Sequence, residues 1–181
     1  LEAAEERLNR VIKLMENVKL KRLHSEAVNM LGDVYRRLGE KEKSLAAYTS
    51  ALETMERINH PNQGVPMVNI AVLSIESGDL LQAETLIRKA RERFVHQNWL
   101  PNLAVTHLLY LTILASKRSW KRWDNYFEAA AGILNETHYV DSEVALFAEL
   151  AAQHCLNEHE LTRANKAAGI AHQQWTALGD L

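Results

Sequence analysis

The sequence predicts an all-α fold, a solenoid of stacked antiparallel helix pairs with about nine helices. Three observations lead there. No stretch sustains the alternation of apolar and polar residues that a half-buried strand needs, so no strand is expected. Gly and Pro are sparse, seven and three in 181 residues, and three of them gather at Pro61, Gly64 and Pro66. A small residue recurs at nearly fixed spacing: Ala51, Ala90, Ala130 and Ala171 follow one another at 39, 40 and 41 residues. Such a period is the mark of a repeat architecture.

The elements follow from that register. The opening helix carries Ala4, Leu8 and Val11 on one face and makes a half-repeat over 1–18. Its break from the next helix, near Lys19–Lys21, holds no Gly or Pro and is placed by register alone. First helices of each pair are expected at 22–38, 66–77, 102–116 and 142–156, and second helices at 41–58, 80–98, 119–135 and 160–178. Seven residues before each recurring Ala stand Ser44, Ala83, Trp123 and Ala164, and three before stand Tyr48, Ile87, Phe127 and Ala168. The first helices align Leu31, Ile70, Tyr110 and Ala151, then Tyr35, Ser74, Leu114 and Cys155. Positions three, four and seven apart share a helix face, so each helix carries an apolar stripe. Two helices cannot bury both stripes alone, so pairs stack on their neighbours. Asp141 is placed to cap the last first helix, and Gly179 to stop the final one. Repeats of about 22–60, 61–100, 101–139 and 140–181 thus form one domain over 1–181.

Composition narrows the function classes. The chain is 47% apolar and 24% charged, a globular balance. Lys and Arg total 21 against 23 acidic residues, and a formal charge of −2 gives no pull towards nucleic acid or a membrane surface. The lone Cys155 excludes a disulfide framework and suits a reducing, cytoplasmic setting. No apolar run approaches the length of a membrane helix. Leu1 in place of a starting Met points to a piece of a longer protein.

Within the first repeat, Val28, Leu31-Gly32, Tyr35, Gly39, Tyr48 and Ala51-Leu52 resemble a tetratricopeptide (TPR) repeat. Ser44 departs from the Ala usual there. The second repeat keeps Gly78, Ala83 and Ala90 but has Ala71 and Ser74 where the family has Gly and Tyr. The last two repeats match mainly by spacing. The period exceeds the family's usual length and is similar to long-repeat arrays in bacterial signalling kinases and ATPase-type regulators. The resemblance implies a right-handed superhelix whose first helices line a concave partner-binding groove. TPR proteins that grip a C-terminal carboxylate use Lys and Asn on those helices. Asn29, Asp33, Val68 and Val72 hold the corresponding places here, so no such clamp is expected.

Two first helices are apolar nearly all round, at 67–75 and 103–115. Such a helix is either buried all round or exposes a sticky face. One reading makes them an apolar groove for an amphipathic helix or a second copy of the chain; the other buries them inside the array. On the groove reading the partner contacts are Asn29, Asp33, Arg36, Val68, Val72, Ile75, Leu108 and Thr112. Lys117-Arg118, Trp120, Lys121-Arg122 and Trp123 interleave bases and aromatics as single-strand binders do, but both Trp residues fall where repeat packing wants bulk. His154 and Glu158 share a helix face without an HExxH pair, and His159 points elsewhere, so no metal site is expected. Asn135-Glu136-Thr137 fits a glycosylation acceptor that a cytosolic chain would not use. No Gly-rich phosphate loop or acid–base cluster assembles, so neither a cofactor nor a catalytic role is expected. The sequence therefore points to a non-catalytic scaffold binding a protein or peptide, the regulatory part of a larger signalling protein. The alternative is a homo-oligomerisation module that pairs parent chains through the apolar helices of repeats two and three.

Overall fold

A computed structural model describes residues 1–17 and 20–179. Its described residues form nine α-helices and no strand. They are α1 (Glu2–Asn17), α2 (Lys21–Arg37), α3 (Lys41–Arg57), α4 (Gly64–Glu76), α5 (Leu80–His96), α6 (Leu100–Ser116), α7 (Trp120–Thr137), α8 (Ser142–Asn157) and α9 (Leu161–Leu178). Part of the break expected at Lys19–Lys21 lies outside the described residues. The helix α4 starts two residues earlier than its apolar pattern indicated. A 3-10 turn at Pro61–Gln63 leads into Gly64, and Pro66 sits in the first turn, where a missing N–H costs nothing. The helix α7 runs two residues past its expected end, to Thr137. Asp141 caps α8 by accepting the Glu143 N–H at 2.7 Å, and Gly179 ends α9 in the left-handed region at φ 80°.

The chain falls into two compact units, Leu1–Ala90 and Arg91–Leu181, with the boundary inside α5. In the first unit α2 packs on α1 and α3, and α3 on α4. In the second, α6 packs on both α7 and α8, and α8 on α9. Consecutive helices thus pack in pairs within each unit, as helix-pair repeats do.

Burial follows the register read from the sequence. Ala51, Ala90 and Ala130 have no exposed surface and Ala171 almost none, since the small side chain lets the partner helix approach. Ser44, Ala83, Trp123 and Ala164 are buried likewise, as are Tyr48, Ile87 and Phe127. The pattern shifts in the last repeat, where Ala167 is buried and Ala168 exposed. In the opening helix, Val11 is exposed rather than packed.

The turns repeat as closely as the cores. Gly39, Gly78, Arg118 and His159 all take positive φ, and so do Asn59, Asn98, His138 and Gly179. Both series advance by 39, 40 and 41 residues. After each first helix the backbone closes the same way: Glu40 N–H donates to the Tyr35 carbonyl, Asp79 to Ser74, Ser119 to Leu114 and Glu160 to Cys155. This pairing of a left-handed residue with a bond reaching five residues back satisfies carbonyls that a helix end would otherwise strand. Arg118 and His159 show that the turn persists where its Gly has gone.

Candidate functional site

The face expected to bind a partner divides sharply by helix. On α4, Val68, Val72 and Ile75 are buried, and on α6, Leu108 and Thr112 have no exposed surface at all. The open apolar groove expected at these five residues is therefore corrected. An apolar circumference on these helices means burial on every side, as it does for any helix enclosed by neighbours. The middle stretches of both helices, 66–75 and 104–115, are buried throughout. The Oγ1 of Thr112 is enclosed without a hydrogen-bond partner.

The remaining three residues lie on α2. Asn29 is buried, while Asp33 and Arg36 are half-buried. They belong to a polar network that the helix spacing builds. Gly32 has no side chain, and the Tyr48 ring occupies the space where its Cβ would be: a Cβ there would stand 2.5 Å from two ring carbons. This close approach carries the Tyr48 hydroxyl to Asp33, to whose Oδ1 it donates at 2.7 Å. From α4, Asn69 Nδ2 donates to Asn29 Oδ1 and Asp33 Oδ1, both at 3.3 Å. Burial raises the Asp33 carboxyl above its ordinary value, opposed by the Tyr48 hydrogen bond and by Arg36 and Arg37 nearby. Burial and the Asp33 charge likewise push the Tyr48 hydroxyl up. Ser44 also finds its reason here, because its buried hydroxyl donates to the Gly32 carbonyl at 2.9 Å. An Ala there would leave that acceptor unused by a side chain. The sequence showed Ser44 only as a departure from pattern.

Two openings flank α2. One, of about 840 Å³, lies beside the 3-10 turn and is lined by Leu20, Leu23, Glu26 and His60 among others. Its buried polar groups are already engaged. His60 Nδ1 accepts the Asn62 N–H at 3.0 Å, its Nε2 faces Glu26 at 3.3 Å, and Asn62 bonds the same Glu26 oxygen at 3.0 Å. The other, of about 500 Å³, runs between α1 and α2, with Ala4, Leu8, Met30 and Val34 as apolar lining and Arg7, Asp33 and Arg37 beside them.

In the second unit the polar residues serve packing. Trp123 is fully buried and stacks on Phe127 at 5.2 Å, and Arg163 lies 5.1 Å over the Trp120 ring while pairing with Asp124 at 2.8 Å. Arg118 pairs with Glu158 at 2.6 Å, and Arg122 donates to the Tyr110 hydroxyl at 2.7 Å. Of the interleaved bases and aromatics near α7, Arg118, Trp120, Arg122 and Trp123 are thus engaged within the fold, while Lys121 is exposed. His107 is buried edge-on to Tyr126, with ring centroids 4.9 Å apart, and burial followed by the Arg91 charge lowers it to about 4. His154 faces the Ser116 hydroxyl at 3.1 Å, and burial lowers it too. Burial pushes the Cys155 thiol up to about 11, the state of an inert small hydrophobe. Among the described residues no three His, Cys, Asp or Glu gather in a way that could hold a metal ion. Nor is any helix there long and apolar enough to cross a membrane.

In fold the chain is similar to BtubC (BKLC) from P. vanneervenii. The two match with a TM-score of 0.66 and 16% identity, over 89% of this chain and 66% of that one. At that identity the likeness speaks for the fold alone. This chain spans just under two thirds of the length of BtubC. No family model matches the sequence, and no curated protein does.

Proposed function

We propose that the chain is a non-catalytic protein-interaction module of TPR type, which holds a partner protein or peptide against α2. One observation carries this reading: α2 alone combines the network of Asn29, Asp33 and Arg36 with an outer face still open to solvent, including an exposed Met30. A half-buried carboxylate held in place by Tyr48 and Asn69 is pre-oriented, so a ligand that meets it loses little further entropy. The TPR assignment rests on the first-repeat motif and on left-handed turns recurring in every repeat.

The test is to identify proteins cross-linked to the purified chain and measure their affinity for Asp33→Asn and Arg36→Ala variants. At least a tenfold loss is expected in each, with the thermal melt still cooperative. Unchanged affinity in both variants would remove α2 as the binding face.

A further inference from the structure

We propose that His60 is an acid-released latch, which holds the 3-10 turn at Pro61–Gln63 closed while its ring is neutral and lets it open once the ring is protonated. The turn joins α3 to α4 and so links the first two repeats. Its start is pinned at the backbone, where the Met55 carbonyl accepts the His60 N–H at 2.7 Å and the Gln63 side-chain amide at 3.3 Å. The cap itself is the His60 side chain, whose Nδ1 accepts the Asn62 N–H at 3.0 Å. A ring nitrogen that accepts carries no proton, so the one proton of the neutral ring sits on Nε2. That nitrogen lies 3.3 Å from Glu26 Oε1 on α2, which also accepts from Asn62 Nδ2 at 3.0 Å.

These two contacts make the cap acid-sensitive. The neutral ring has one acceptor and one donor, and each meets its complement. A second proton can go only on Nδ1, where it would face the Asn62 N–H, donor against donor. Glu26 holds the opposite edge of the ring, and its hold tightens as the ring gains charge, so the ring does not turn to save the cap. The side chain is only 3% exposed, which leaves the stranded Asn62 N–H no partner until the turn gives way. The charges that bear on the ring come from α2. Burial is the largest influence and holds its titration below the ordinary 6.5, the Glu26 carboxylate opposes this, and Arg22 adds to it. Lys21 stands in the same wall, while the end of α3 and the turn bring Ile58, Asn59, Pro61 and Asn62, none of them charged. On α4 no charge precedes Glu76. The closed turn is therefore fully held above about pH 6.5 and is released as pH falls through the lower value of the folded chain.

NMR of the isotope-labelled chain, taken from about pH 8 down to about pH 4, tests the latch. At neutral pH the ring nitrogen shifts of His60 should report a proton on Nε2 alone. As the ring titrates, the Asn62 amide proton should lose its hydrogen-bond shift along the same curve. Its exchange with water should quicken at least tenfold, once the intrinsic effect of pH is removed. His60→Asn, which caps without titrating, should abolish both changes while the other histidines titrate as before. Glu26→Gln should move the curve to lower pH, because it removes the charge that favours the protonated ring. A proton on Nδ1 at neutral pH, or an Asn62 amide that does not follow the ring, would overturn the proposal. So would the same response in His60→Asn, or a Glu26→Gln curve that stays in place or moves to higher pH. If His60→Asn does not fold, the two readouts on the unaltered chain still decide.

Discussion

The helices α2 and α6 hold the same place in their repeats and have 17 residues each, yet they are built to opposite ends. From Ala104 to Ala115 every residue of α6 is buried, including Thr106, His107 and Thr112. In α2 buried residues such as Ser25, Asn29 and Val34 are interspersed with exposed ones, and Leu23, Met30 and Arg37 stay in water. The difference teaches how to read an apolar circumference in a stacked repeat. It marks a helix with neighbours on all sides, and the solvent-exposed surface is found on the helix whose sequence is more mixed.

The widest test of that contrast removes one large side chain from each helix. Leu111→Ala, in a site with no exposure, should cost about 3–5 kcal/mol of unfolding free energy through lost burial and the cavity left behind. Met30→Ala should change stability by less than about 0.5 kcal/mol, as exposed substitutions do. Urea denaturation of both variants measures the gap, and equal losses would erase the distinction.

A smaller effect separates the units by pH. His107 is held neutral in the fold, at about 4 against the ordinary 6.5. Between these values the unfolded chain binds a proton that the folded chain refuses. The resulting stability is complete above about pH 6.5 and is lost as pH falls towards 4, by up to about 3 kcal/mol. His107→Gln should flatten that part of the curve of urea midpoint against pH. A slope unchanged by the substitution would mean that other groups set it.

The smallest contrast uses glycine. Gly32→Ala drives a methyl into the Tyr48 ring, which is buried and tied to Asp33, and should cost about 1–3 kcal/mol. Gly132 in α7 has open space where its Cβ would be, so Gly132→Ala should stabilise the helix by about 0.5–1 kcal/mol. Thermal melts should move in opposite directions.

Most of the fold was legible in the sequence because its repeat is carried by side-chain size. The recurring alanines marked the close approaches, and Asp141 and Gly179 marked helix ends by chemistry specific to those positions. The face proposed to meet a partner was less legible. The residues of α4 and α6 announce apolar surface, but periodicity cannot say whether a neighbour covers it. Ser44 and Asn69 became informative only once Gly32 and Asp33 were placed across from them, since their partners lie 12 and 36–40 residues away. The turns at Arg118 and His159 were silent because any non-Gly residue takes positive φ only rarely, and even His, which does so more often than most, marks no turn by itself.

Those turns also measure the repeat from within. Gly39 to Asn59, Gly78 to Asn98, Arg118 to His138 and His159 to Gly179 are each 20 residues, so the half that contains the second helix never changes length. The half that contains the first helix, from Asn59 to Gly78, Asn98 to Arg118 and His138 to His159, grows from 19 to 20 to 21. All the drift in period is confined to one side of the unit. The second-helix halves therefore keep one gauge in every repeat, and the first-helix halves alone carry the change in length from one repeat to the next.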